Sequence, residues 1–299
     1  MNKIKNELEQ EMIILLSNYM TKKLDVDNIN NHPIRIAEAV KSMVGLNLDA
    51  PPINLINYIK DNNFNIYNDS KSENLNRVVN TVSIYQLEEA INQNDFNESI
   101  KIIDDLLKLS DGRHILEYLL EMSFQRMGKS LLIIWAIFKS LNFIGYSSID
   151  NVRNGLLIAV GSLINDLFIN DKAIDHIEKV EIKYLDYLFN EFDLDDFQLQ
   201  VFGSLYEILN EEFIRNSSIR NSLDYFLKSL ESNLKKTKTI NEEVSLIINN
   251  RKDLLELFNH IDINDENILN INALRSYMKN CNTININKLS NYILLIKGN

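Results

Sequence analysis

The chain reads as an all-α protein, and three observations predict it. Glycine and proline are scarce, eight and three in 299 residues, so little interrupts a helix. Apolar residues recur every three or four positions almost throughout, while the alternation expected of strands is nearly absent. Two strongly apolar segments, Leu131–Phe138 and Leu156–Val160, flank the short loop Gly145-Tyr146-Ser147-Ser148. They read as a helical hairpin spanning residues 129–169. The expected architecture is an irregular multi-helix assembly of about ten to twelve helices around this central apolar hairpin.

Taken in order, Ile4, Leu8, Met12, Leu15 and Tyr19 hold one apolar face inward, which predicts a first helix over residues 3–22. Further helices are expected near 33–45, 84–93, 97–109, 113–125, 172–190, 197–213, 266–280 and 286–297. Ile219, Leu223, Phe226, Leu230 and Leu234 repeat the helical spacing behind Ser217 and Ser218, whose hydroxyls suit a cap. Thr239-Ile240-Asn241-Glu242 has capping-box spacing. Pro51-Pro52 and the polar tract after Asn65 mark residues 47–76 as a mobile excursion. The basic spacer at residues 235–239 divides a main helical domain, 1–234, from a C-terminal helical subdomain, 240–299, expected to pack on it.

A chain with 45% hydrophobic residues buries a sizeable core. The lone Cys281 forms no intramolecular disulfide, and four scattered histidines build no zinc cluster. No metal site and no cofactor is evident from the residues. The N-terminus runs into an amphipathic pattern and not into a signal peptide, so a cytoplasmic location is expected. The longest apolar run covers about 12 Å of helix against a bilayer's roughly 30 Å, so no membrane association is expected. A net charge of −11 argues against nucleic acid as a partner. Between Tyr184 and Phe213 there are eight carboxylates and no lysine or arginine. That stretch is a solvated helix pair or, through Asp193, Asp195 and Asp196, a docking surface for a basic protein partner.

Three fragments suggest chemistry. Gly128-Lys129-Ser130 matches the end of a P-loop, but Ser123 stands where its first glycine belongs and the preceding segment is helical, so no phosphate cradle is expected. Residues 262–273 follow the first ligand positions of an EF-hand. There Asn267 replaces the turn glycine and Ala273 the closing glutamate, which leaves a helix–turn–helix as the reading. His114 has Asp111, Glu117 and Glu121 at helical spacing; without a second Glu-x-x-His it reads as a charged, solvated face. In the hairpin, a turn near Ser147 brings residues whose numbers sum to about 294 to one level. Lys129 and Asp166 are then expected to form an ion pair at the open end, either structural or orienting a polar ligand. Gly155, Ala159 and Ser162 make a small-residue stripe that would let another backbone approach.

Asp95-Phe96, Phe124-Gln125-Arg126-Met127-Gly128-Lys129-Ser130-Leu131-Leu132 and Phe143-Ile144-Gly145-Tyr146 resemble the helical questin-oxidase-like proteins over residues 86–166. The resemblance implies a helical fold and an oxidoreductase acting on an aromatic or polyketide-type substrate with NADPH. The family's Gly-His pair falls where this chain has Gly128-Lys129, which removes the histidine. Two functions follow as expectations. The first is a helical protein that acts by binding a partner or small-molecule ligand, since no catalytic constellation is visible. The alternative is an oxidoreductase-like enzyme with a helix-enclosed pocket lined by Lys129, Trp135 and Asp166.

Overall fold

The computed structural model describes residues 2–21, 29, 32–61, 82–169, 182–210, 217–231, 234–236, 248, 250–282 and 284–298. Among them the chain is all-α, as expected, with fourteen α-helices. These are α1 (Asn2–Met20), α2 (Ile34–Val44), α3 (Ile53–Asp61), α4 (Ile84–Asn92), α5 (Phe96–Leu106), α6 (Arg113–Ser123), α7 (Lys129–Ile144) and α8 (Ile149–Ile164). After them come α9 (Ile182–Glu191), α10 (Asp196–Asn210), α11 (Ser217–Glu231), the single turn α12 (Asp253–Glu256), α13 (Asp265–Asn280) and α14 (Ile286–Gly298). Two two-residue strands, β1 (Phe192–Asp193) and β2 (Lys235–Lys236), pair antiparallel. No helix among the described residues is long and apolar enough to cross a membrane.

The chain divides into two compact units, Met1–Glu38 with Lys60–Asn170 and Ala39–Ile59 with Asp171–Asn299. Of the spacer at 235–239, residues 235 and 236 form β2 and the rest lies outside the described residues, as do the 239–242 capping box and His176. Within the stretch read as an excursion, residues 53–61 are helical. The Pro52 carbonyl accepts from the N–H groups of Leu55 and Ile56, at 3.1 and 3.3 Å. Proline costs nothing at a helix start, where its missing N–H has no intrahelical partner anyway, so Pro51-Pro52 opens α3 instead of excluding it.

In the first unit, α7 and α8 are the core. Every residue from Ser130 to Phe138 is buried, and so is every residue from Asn154 to Leu163. Helices buried on all sides need no polar face, hence the unbroken apolar runs. Gly145, at φ 88°, ends α7, and the Ser148 hydroxyl accepts from Asn151 N–H to open α8. At Gly155 the small stripe on α8 meets side chains: a Cβ there would lie 3.0 Å from Ile137 Cγ2 and 3.3 Å from Leu141 Cδ1. Glycine there lets α8 close onto α7. Arg153 clamps Asp104 of α5 with two hydrogen bonds, at 2.5 and 3.0 Å, and Lys139 pairs with the buried Glu38 at 2.8 Å.

In the second unit, α10 and α13 form the tightest pair. Gln200 bonds Asn270, Gly203 faces Ala273 and Glu207 meets Arg275 and Ser276, so residue numbers rise together and the helices run parallel. A Cβ on Gly203 would fall 2.6 Å from the Ala273 Cα, so this is the position where a glycine admits another backbone. Phe189, Tyr206, Tyr277 and Tyr292 build an aromatic core, with Phe189 stacked on Tyr277 at 3.9 Å. Each buried hydroxyl keeps a partner: Tyr206 donates to Asp186, while Tyr277 and Tyr292 accept from Asn285 and Leu194 N–H groups. Burial pushes the Tyr277 phenol up to about 12.

Candidate functional site

The open end of the α7–α8 hairpin has the expected register. Met127 N–H donates to the Leu167 carbonyl at 2.9 Å and Ile169 N–H to the Gln125 carbonyl at 3.1 Å, with Arg126 opposite Phe168. Each pair of numbers sums to the predicted 294. The side-chain chemistry differs from the expected ion pair. Asp166, 4% exposed, accepts through Oδ2 from both the N–H and the hydroxyl of Ser130, each at 2.8 Å. It therefore caps α7, where unpaired N–H groups and the helix dipole favour a carboxylate. Lys129 is exposed and makes no ion pair among the described residues, with Asp166 or otherwise. The reason is local: at the first position of a helix the backbone N–H groups lie nearer the incoming carboxylate than a long, well-hydrated side chain does.

Trp135 is 2% exposed and stacked on Phe138, with ring centroids 5.4 Å apart. It lies six residues, about 9 Å of helix rise, beyond Lys129. The three pocket candidates are thus a solvated lysine, a packed indole and a capping carboxylate. Neither cleft described below is lined by any of them.

Arg126 is the residue that sequence reasoning passed over. It is 3% exposed, its Nη1 donates to the Asp166 carbonyl at 3.3 Å, its Nη2 to Asn92 Oδ1 at 3.1 Å, and its guanidinium lies 3.3 Å from the Phe168 ring centroid. Burial lowers its pKa and the nearby Asp166 carboxylate opposes that fall. The signal was present in the register, which pairs 126 with 168, but a ring and a carbonyl are partners that charge matching does not reveal.

Five carboxylates of the acidic stretch, Asp186, Asp193, Asp195, Asp196 and Glu207, make internal contacts. Asp193 pairs with the buried Lys288 at 2.9 Å. Asp195 and Gln198 form a reciprocal cap on α10, each side chain accepting the other's N–H, at 2.8 and 3.0 Å. Asp196 accepts from Asn270 at 2.7 Å and shares a hydrogen bond with Glu266, whose pKa rises as a result. Asp186 and Glu207 are likewise engaged, by Tyr206 and Asn282 and by Arg275 and Ser276. Replacing Asp193, Asp195 and Asp196 together with Asn should therefore lower the urea midpoint. The loss should come from Asp193 and Asp196, since Asn caps a helix about as well as Asp. A hydrogen bond to a charged group contributes about 1–3 kcal/mol, and the half-exposed Asp193 belongs at the lower end.

Two clefts remain. One, of about 520 Å³, is lined by Asn190, Ile284, Asn285, Ile286 and Asn287. It carries no charge, and the Asn285 side chain caps α14 through Lys288 N–H. The other, of about 420 Å³, lies between α4 and α5. These helices are joined by a tight turn in which Asn94 takes φ 57° and the Asp95 side chain caps α5 through Glu98 N–H at 2.9 Å. Ala90 and Ile102, both buried, and Val82 supply the apolar lining, and Glu89, Asp95, Glu98 and Asp105 supply four carboxylates. Lys101 and Lys108 partly neutralise Glu98 and Asp105, at 2.8 and 2.6 Å. Among the described residues no group of three or more His, Cys, Asp or Glu side chains is placed to hold a metal ion. The four carboxylates are thus strung along a cleft and do not converge on a point.

The loop at 262–273 and His114 are also accounted for. Asn264 caps α13 through Asn267 N–H at 2.8 Å, and the Asn267 carboxamide donates to the Asp262 carbonyl at 2.9 Å, so the loop's oxygens and amides serve the turn. His114 is largely exposed, 3.4 Å from Glu117. No family model, curated protein or solved structure matches this chain.

Proposed function

We propose that this protein acts by binding, and that its site is the cleft between α4 and α5, which takes a basic segment of a partner protein. The supporting observation is the composition of that cleft: buried apolar side chains beneath four carboxylates distributed along its length. Spread charges suit a partner whose lysines or arginines are spaced along a chain, and the apolar lining gives an aliphatic side chain somewhere to leave water. Of the residues from which a catalytic pocket was expected, Trp135 packs in the core, Asp166 caps α7 and Lys129 is exposed, and none lines this cleft.

Titrating a fluorescent peptide of alternating lysine and leucine into the protein tests this reading. Saturable binding that weakens as salt is raised is expected, because exposed charges are screened beyond about 8–10 Å near physiological ionic strength. Glu89→Lys with Glu98→Lys should weaken it by about tenfold or more while the circular dichroism stays unchanged, since like charges then face each other. Equal affinity in the folded variant contradicts the assignment.

A further inference from the structure

Asp166 occupies a place that suits an anion from outside the chain. The helix it caps is sixteen residues long and entered through Gly128 at φ 103°. The carboxylate draws on Ser130 N–H and Ser130 Oγ–H, and Ser130 is fully buried. A second feature points the same way. Arg126, more than nine-tenths buried, lies against Asp166 with its Nε donor buried and without an acceptor. A buried N–H left unpaired is costly, and here it belongs to a charged group. The neighbouring Lys129 adds a second cation, exposed and outside any ion pair among the described residues. One carboxylate thus serves only the two Ser130 donors and balances one of two positive charges. A tetrahedral dianion has the oxygens and the charge to serve Arg126 and Lys129 as well.

Asp166 is held by its two bonds to Ser130 and by Arg126 at its carbonyl, and the described residues that follow it add little. Residues 167–169 are held to residues 125–127 by two backbone hydrogen bonds and by the Phe168 ring over Arg126. Leu167 is 74% exposed and Phe168 48%, so lifting this strap uncovers little apolar surface. Segments with few buried contacts open at a fraction of the global unfolding free energy.

We propose that the N-terminus of α7 is an anion site held closed by the chain's own Asp166, and that inorganic phosphate takes over Ser130 and Arg126 when residues 166–169 lift. The site is an autoinhibited one: the carboxylate is the internal ligand and the strap its tether. It owes nothing to the cleft between α4 and α5, so either assignment can fail alone.

The test is a titration with inorganic phosphate against potassium chloride at equal ionic strength, following the Ser130 amide resonance and the hydrogen exchange of the Met127 and Ile169 amides. Phosphate alone should move the Ser130 resonance to saturation, and the Met127 and Ile169 amides should exchange faster as it binds. Asp166→Ala, which removes the capping acceptor altogether, should bind phosphate about tenfold more tightly or better, because a closed strap reduces apparent affinity by its open fraction. Adding Ser130→Ala or Arg126→Met to that variant should reverse the gain. A Ser130 resonance that responds equally to chloride and phosphate, with exchange at Met127 and Ile169 unchanged, overturns the proposal. The wild-type titration carries both outcomes even if Asp166→Ala does not fold.

Discussion

Trp135→Ala is expected to destabilise the first unit by about 3–5 kcal/mol, the range for truncating a large aromatic side chain in a packed core. The indole is 2% exposed, stacks on Phe138, and stands within nine consecutive buried residues of α7. A helix enclosed on all sides by neighbours has no solvent face toward which it can relax, so the cavity is filled only in part. Because Trp135 is the chain's single tryptophan, the native protein reports the same burial without substitution. Its emission should be blue-shifted and resist iodide quenching, then move to the red at the urea midpoint. The variant is followed by circular dichroism. A water-like native emission, or a variant within about 1 kcal/mol of wild type, would remove Trp135 from the core.

Arg275→Met should cost about as much, roughly 3–5 kcal/mol, by a different route. Glu207 and Arg275 are both nearly buried and joined side chain to side chain, and Ser276 Oγ also donates to Glu207, at 2.8 Å. Removing the guanidinium takes the cation away from a carboxylate that has already left water. The expected signature is non-additivity: Glu207→Leu with Arg275→Met should cost less than the sum of the single changes, because an apolar pair leaves no uncompensated charge. Strictly additive losses in urea denaturation would show that the two groups do not stabilise each other.

The hairpin register and several helix starts, such as those of α4, α5, α6 and α13, were legible because they depend on residues close in sequence or on simple geometry. The loop at 145–148 sets the turn, helical rise does the rest, and Gln125–Ile169, Arg126–Phe168 and Met127–Leu167 fall at the predicted level. Side-chain pairing at that level was not legible. Asp166 had a visible cation in Lys129 and a less visible alternative in the N–H and hydroxyl of Ser130, and the preformed helix terminus prevailed.

The internal pairing of the acidic stretch was hidden for a related reason. Its cations, Lys288 and Arg275, lie far along the chain, and only the packing of α10 on α13 and the placing of α14 bring them in. Counting charges in a window does not show which of them the fold pairs with a distant cation. The cleft between α4 and α5 was hidden as well: Glu89, Asp95, Glu98 and Asp105 belong to one lining only after the turn at Asn94 folds α5 back along α4.

The central claim is that binding, at the cleft between α4 and α5, is what this fold serves. A backbone amide map of the protein with and without the basic amphipathic peptide tests it most directly. The account predicts that the resonances of Ala90, Asp95, Glu98 and Ile102 move together on binding while those of Lys129, Asp166 and residues 193–196 stay in place; shifts confined to the latter set, or none at all under conditions where the peptide binds, would contradict it.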